Sequence, residues 1–85
     1  MRYHVTLSGH AARDLDRFQG RVYLRLQSAI GALADNPRPR GCLKLTASGE
    51  WRVRVGAYRI RYLIDDAAHA ITVTRIGHRC DIYDY

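Results

Sequence analysis

Lysine is nearly missing from this 85-residue chain: one lysine, Lys44, stands against thirteen arginines. Also missing is any apolar run near the ~18–20 residues that a membrane span needs, or an apolar N-terminal stretch resembling an export signal. Two cysteines, Cys42 and Cys80, lie far apart and match neither a CxxC pair nor a zinc-ligand spacing. They could pair in an oxidising compartment; without an export signal they read as reduced thiols. His4, His10, His69 and His78 never share a helix face at i, i+4 spacing, so no metal site is expected. P-loop, GxGxxG and GxSxG motifs are absent, as are repeats and low-complexity segments. No cofactor is implied, and the expected location is the cytoplasm.

What is present suits one globular domain spanning 1–85. A chain of this length buries roughly 60–70% of its unfolded surface, enough for a single core. Its composition, 47% hydrophobic and 26% charged, is ordinary for a folded protein. The net charge of +6 is not evenly spread. Residues 1–37 hold five Arg and three Asp, net +2; residues 38–61 hold six Arg, one Lys and one Glu, net +6; residues 62–85 hold two Arg and four Asp, net −2. The excess is a patch in one window, and it predicts an anionic partner. Arginine's planar fork suits phosphate, although a codon bias toward arginine would also remove lysine.

Periodicity gives the elements. Tyr3, Val5 and Leu7 alternate over 2–7, a half-buried strand, and Ser8 is a plausible helix N-cap. Ala11, Leu15 and Phe18 form a helical stripe that Gly20 punctuates. Val22, Leu26, Ala29, Ile30 and Leu33 line one face of a second helix, which Asn36-Pro37 stops. A short strand is expected at 43–45. Alternation then runs through 51–55 and 58–64, and again through 71–76, where Gly77-His78-Arg79 breaks it before an extended tail. The expected class is α+β: a small antiparallel sheet covered on one face by an N-terminal αα-hairpin, in the order β-α-α-β-β-β, with the other face open.

Register sharpens the charge pattern. Gly56-Ala57 reads as a two-residue type II′ hairpin turn. Counting outward puts Val55 opposite Tyr58, Arg54 opposite Arg59, Val53 opposite Ile60, Arg52 opposite Arg61, and Trp51 opposite Tyr62. Opposed residues have Cβ atoms about 4.5–5.5 Å apart, and like charges there are destabilising. One face of the hairpin is therefore apolar, and the other carries four guanidiniums in two opposed pairs. The guanidiniums could splay into water or meet Asp65, Asp66, Asp81 and Asp84. A phosphate-binding face is the favoured reading. Near it, His78, Arg79 and Tyr83 bring an imidazole, a guanidinium and a phenol, each of which could also be ordinary surface or packing.

The run Lys44-Leu45, the segment 51–66, then Ile76-Gly77-His78-Arg79 and Asp81-Ile82-Tyr83 resembles the RelE/ParE toxin superfamily over nearly the whole chain. The resemblance implies the toxin of a type II toxin–antitoxin system, a ribosome-dependent endoribonuclease that cleaves mRNA and so inhibits translation. It implies a cognate antitoxin, the ribosome and mRNA as partners. Arg52 and Arg54 take the positions that contact the mRNA backbone, and Arg61 and Lys44 join them as RNA-binding residues. Arg59 would stabilise the reacting phosphate, Arg79 would assist the leaving group, and Tyr83 would position or activate the substrate. His78 occupies a site that is basic in other members.

Two departures follow. Arginine replaces the lysines that well-known members carry on the central strand, and arginine is not deprotonated in proteins, so neither Arg52 nor Arg54 can act as a base. No C-terminal helix is expected beyond Tyr83. RNA supplies its own nucleophile, the 2′-OH, so the expected reaction gives a cyclic phosphate and a free 5′-OH, with Tyr83 or His78 handling a proton. The alternative within the superfamily is a ParE-like inhibitor of DNA gyrase without nuclease activity. A plain nucleic-acid-binding domain is a further rival.

Overall fold

Ser8 ends the first strand, β1 (His4–Leu7), by capping a helix. In this computed structural model, which describes residues 2–78, Ser8 Oγ accepts from the Ala11 amide at 3.1 Å. That bond satisfies one orphan donor of α1 (Gly9–Asp16). The same hydroxyl donates to the Thr74 carbonyl at 3.2 Å and ties the helix start to the last strand. The second helix is α2 (Gly20–Ala32). Gly20 does not close the first helix as expected; it opens the second, at a φ of 62° that suits glycine.

Four more strands follow: β2 (Leu43–Lys44), β3 (Trp51–Val55), β4 (Tyr58–Asp65) and β5 (Ala70–His78). The sheet order is β1-β5-β4-β3-β2. The α+β class and the two-helix cover hold, and the sheet is mixed where an antiparallel one was expected. β1 pairs parallel with β5, while the other neighbours are antiparallel. The cause is connectivity. Both helices and three strands separate β1 from β5, which supplies the long crossover a parallel pair needs.

The helical stripes meet the sheet as their spacing predicts. Ala11 and Leu15 of α1, Leu26 and Ile30 of α2, and Leu33 just beyond it pack with Ile60, Tyr62, Ile71, Val73 and Ile76. Val73 and Ile76 are three residues apart, which strict alternation would put on opposite faces. A bulge between Arg61 and Tyr62 in the β4–β5 register resets the alternation and keeps both inside. Gly77 and His78 do not break β5. They extend it, pairing with Arg59 and Tyr58. The extended tail expected from Cys80 to Tyr85 lies outside the described residues.

Gly56 has a φ of 62°, while Ala57 is not left-handed, the pattern of a type II′ turn. A Cβ on Gly56 would also meet the Arg25 guanidinium nitrogens at 3.1 and 3.3 Å. Gly56→Ala should therefore lose about 1–3 kcal/mol of stability in denaturant unfolding, chiefly from backbone strain. Truncating Arg25 in the same chain should not restore it.

Candidate nucleic-acid interface

The β3–β4 register is the one counted from the turn: Trp51↔Tyr62, Arg52↔Arg61, Val53↔Ile60, Arg54↔Arg59 and Val55↔Tyr58. Ile60 and Tyr62 are in the core beneath the helices, so the alternating arginines lie on the opposite face. Arg54 is exposed and Arg59 and Arg61 are half-buried, whereas Arg52 is only 7% exposed. On β5, Gly77 lies beside Arg59 and contributes no side chain of its own. Arg75 lies beside Arg61 but is drawn to α1, where its Nε donates to Asp14 Oδ2 at 2.9 Å. The same buried carboxylate oxygen accepts from the Ile76 amide at 3.0 Å.

One carboxylate sits among the arginines. Glu50, 9% exposed, accepts from Arg61 Nη2 and from the Thr74 hydroxyl. Thr74 Oγ1 also lies 3.1 Å from the Arg61 carbonyl, so it reaches both the backbone of Arg61 and its counter-ion. Burial opposes ionisation of Glu50, but hydrogen bonds involving Thr74, Ser48 and Arg61 outweigh it. The carboxyl is thereby held below the ordinary glutamate range.

Two of the expected site residues lie elsewhere. Lys44 pairs with Trp51 and its ammonium lies 5.8 Å from that ring's centroid, on the helix side of the sheet. Arg38 covers the same ring at 5.0 Å and grips Asp66 through two bonds, of 2.8 and 3.3 Å. Tyr3 donates to Asp66 at 2.6 Å, and Tyr62 donates to the Pro37 carbonyl at 2.7 Å. These contacts pin the loop after α2. The charge of the 38–61 window is thus divided between two faces. His78 is also on the helix side: its ring meets Tyr58 edge-on at 5.7 Å, and Tyr58 meets Phe18 at 5.2 Å. It lines a cleft of about 190 Å³ with Asp14, Arg17, Phe18 and Arg75. Extending β5 by two residues sends its side chain away from the arginines. Arg79 and Tyr83 lie outside the described residues.

Glu50 and Thr74 were missed by sequence reasoning. Glu50 has the same parity as Arg52 and Arg54, and continuing the alternation back by one step would have placed it on their face. Thr74 reaches that face at the bulge, which no pattern in the sequence announces. Among the described residues no group of three or more His, Cys, Asp or Glu could hold a metal ion. No helix among them is long and apolar enough to cross a membrane.

Two helices over one face of a five-stranded mixed sheet, with arginines on the other, define a RelE-like toxin fold. A sequence model described as the ParE toxin of type II toxin–antitoxin system, parDE, matches residues 5–83. The chain belongs to this ParE toxin family. It is 34% identical over 85 residues to Toxin RelG of Mycobacterium tuberculosis, covering 98% of each chain. It is equally identical over 83 residues to Toxin RelE of the same organism, covering 95% of this chain and 86% of that one. Among solved structures, a RelBE toxin–antitoxin complex from M. tuberculosis is similar at a TM-score of 0.81 and 30% identity, over 93% of this chain and 100% of the other. An archaeal RelE–RelB complex from Pyrococcus horikoshii matches at a TM-score of 0.81 and 25% identity, over 93% and 97%.

The depressed acidity of Glu50 predicts a pH dependence. A carboxyl with a folded pKa below its unfolded value stabilises the fold above the unfolded value, and that contribution is lost as pH falls through the folded one. Asp66, held down by its bonds from Arg38 and Tyr3, acts in the same direction. Thermal melts should show stability falling as pH drops below about 4.5, the ordinary value for a glutamate. Glu50→Gln should be less stable at neutral pH and decline less steeply in acid.

Proposed function

We propose that this protein is a ribosome-dependent endoribonuclease that cleaves mRNA, the toxin partner of a cognate antitoxin. The observation that carries the reading is the opposed pair Arg54 and Arg59 on the face turned away from the helices. Two guanidiniums at that spacing favour an anion between them. The relatives named RelE and RelG, and the RelE–RelB complexes of the same fold, support both the activity and the partner.

The RNA 2′-OH attacks the adjacent phosphorus. Its proton leaves with a base, and the departing 5′-oxygen takes one up, giving a 2′,3′-cyclic phosphate and a 5′-OH. Arg54 binds the backbone and Arg59 the reacting phosphate, where fixed positive charge counts most in the transition state. Arg52, nearly buried, contributes mainly through its field. The ribosome aligns the strand. Arg79 assists the leaving group and Tyr83 handles the proton. His78, on the other face, is not needed for that step, and Lys44 acts away from the scissile bond.

Mapping mRNA 5′ ends after induced expression, with and without active translation, tests this. Translation-dependent cleavage is expected, with Arg59→Ala lowering it about 100–1000-fold. Arg79→Ala and Tyr83→Phe should each suppress it, and His78→Ala and Lys44→Ala should change it less than about threefold. Inhibition of gyrase supercoiling without mRNA cleavage, measured in parallel, would contradict the reading and favour the ParE-like alternative.

A further inference from the structure

An RNA-binding face has no evident use for a carboxylate, which repels phosphate. Yet Glu50, the chain's only glutamate, lies in that face and is held there on several sides. Its carbonyl accepts from the Leu45 amide at 2.7 Å and its amide donates to Ser48 Oγ at 3.2 Å, so the β2–β3 turn fixes its backbone. One carboxylate oxygen takes Arg61 Nη2 and the other takes the hydroxyl of Thr74 at the bulge. The side chains of Arg61 and Glu50 are only 17% and 12% exposed, unlike a solvated surface pair.

Arg61, of the inner pair, has Glu50 bound to it. For Arg54, in the outer pair, no ion pair is formed among the described residues. We propose that Glu50 is a positioning residue: anchored by Thr74, it holds the Arg61 guanidinium in place and cancels one charge of the inner pair. RNA phosphate is thereby steered away from Arg61 and toward Arg54, the exposed arginine of the face. The inference rests on the nuclease reading and deepens it by naming a residue outside the arginines that sets how RNA sits on the face. Glu50 weakens binding to RNA in general and favours binding in the productive register.

The test measures a fluorescent single-stranded oligouridine bound to the full chain across a salt series, beside cleavage of mRNA on ribosomes. Glu50→Gln exposes one more cationic site to phosphate. Its salt slope should steepen by about 0.7, and its affinity at 0.1 M salt should rise about fivefold. Its cleavage turnover should nonetheless fall at least tenfold. A merely structural role would lower affinity and turnover together. Thr74→Val keeps the charge and loses the anchor, so its salt slope should match the wild type while turnover falls. Glu50→Gln with unchanged slope and affinity overturns the proposal. If that variant does not fold, Thr74→Val decides alone, and unchanged cleavage overturns it. A wild-type chain that neither binds the oligonucleotide nor cuts mRNA would instead defeat the nuclease reading itself.

Discussion

Like charge set against like charge across two adjacent strands organises this molecule. Arg54 opposite Arg59 and Arg52 opposite Arg61 put four guanidiniums within a few residues on one sheet face. Each such pair costs the fold a few tenths to 1 kcal/mol compared with neutral residues. The rest of the hairpin must hold them together, and it does so from the other side. Ile60 and Tyr62 are fully buried under the helices, with Trp51, Val53 and Val55 packed around them. A one-residue slip would turn the arginines into the core, so burial of the apolar face locks the register that opposes the charges.

The same constraint explains the features around the hairpin. The bulge in β5 lets Val73 and Ile76 both enter the core, delivers Thr74 to Glu50 and leaves Arg75 for Asp14 on α1. Arg61 and Arg75, neighbours across the two strands, thus hold carboxylates on opposite sides of the sheet. Beside Arg59 the position on β5 is glycine, which contributes no side chain of its own. Arg38, stacked on Trp51 and held by Asp66, belongs to the clamp over the loop after α2 and not to the arginine face. A strongly basic stretch of sequence therefore resolves into separate structural jobs.

Much of this was legible in the sequence. Short-range periodicity carries the helix stripes, the Ser8 cap and the type II′ turn, and a two-residue turn leaves one register to count. What was not legible depends on long-range pairing. Nothing local shows that β1 runs parallel to β5. The fate of Gly77 and His78 depends on the register of β5 against β4, which pairs them with Arg59 and Tyr58. That pairing puts His78 beside Tyr58 and on the helix side of the sheet. The face that Lys44 takes is likewise set by long-range pairing, with Trp51. Glu50 is readable by parity, because it continues the alternation of Arg52 and Arg54 by one step.

The central claim is that the outer arginine pair is kept for an anion and against the stability of the free fold. The most direct measurement is on Arg54→Thr, which replaces a repelling arginine with a strand-favouring neutral residue. Its thermal midpoint and its affinity for single-stranded RNA should be measured together. The account predicts a midpoint equal to or above the wild type, with RNA affinity reduced about fivefold at 0.1 M salt, the contribution of one phosphate. A lower midpoint with unchanged RNA affinity would show that Arg54 serves the fold, and would contradict the account.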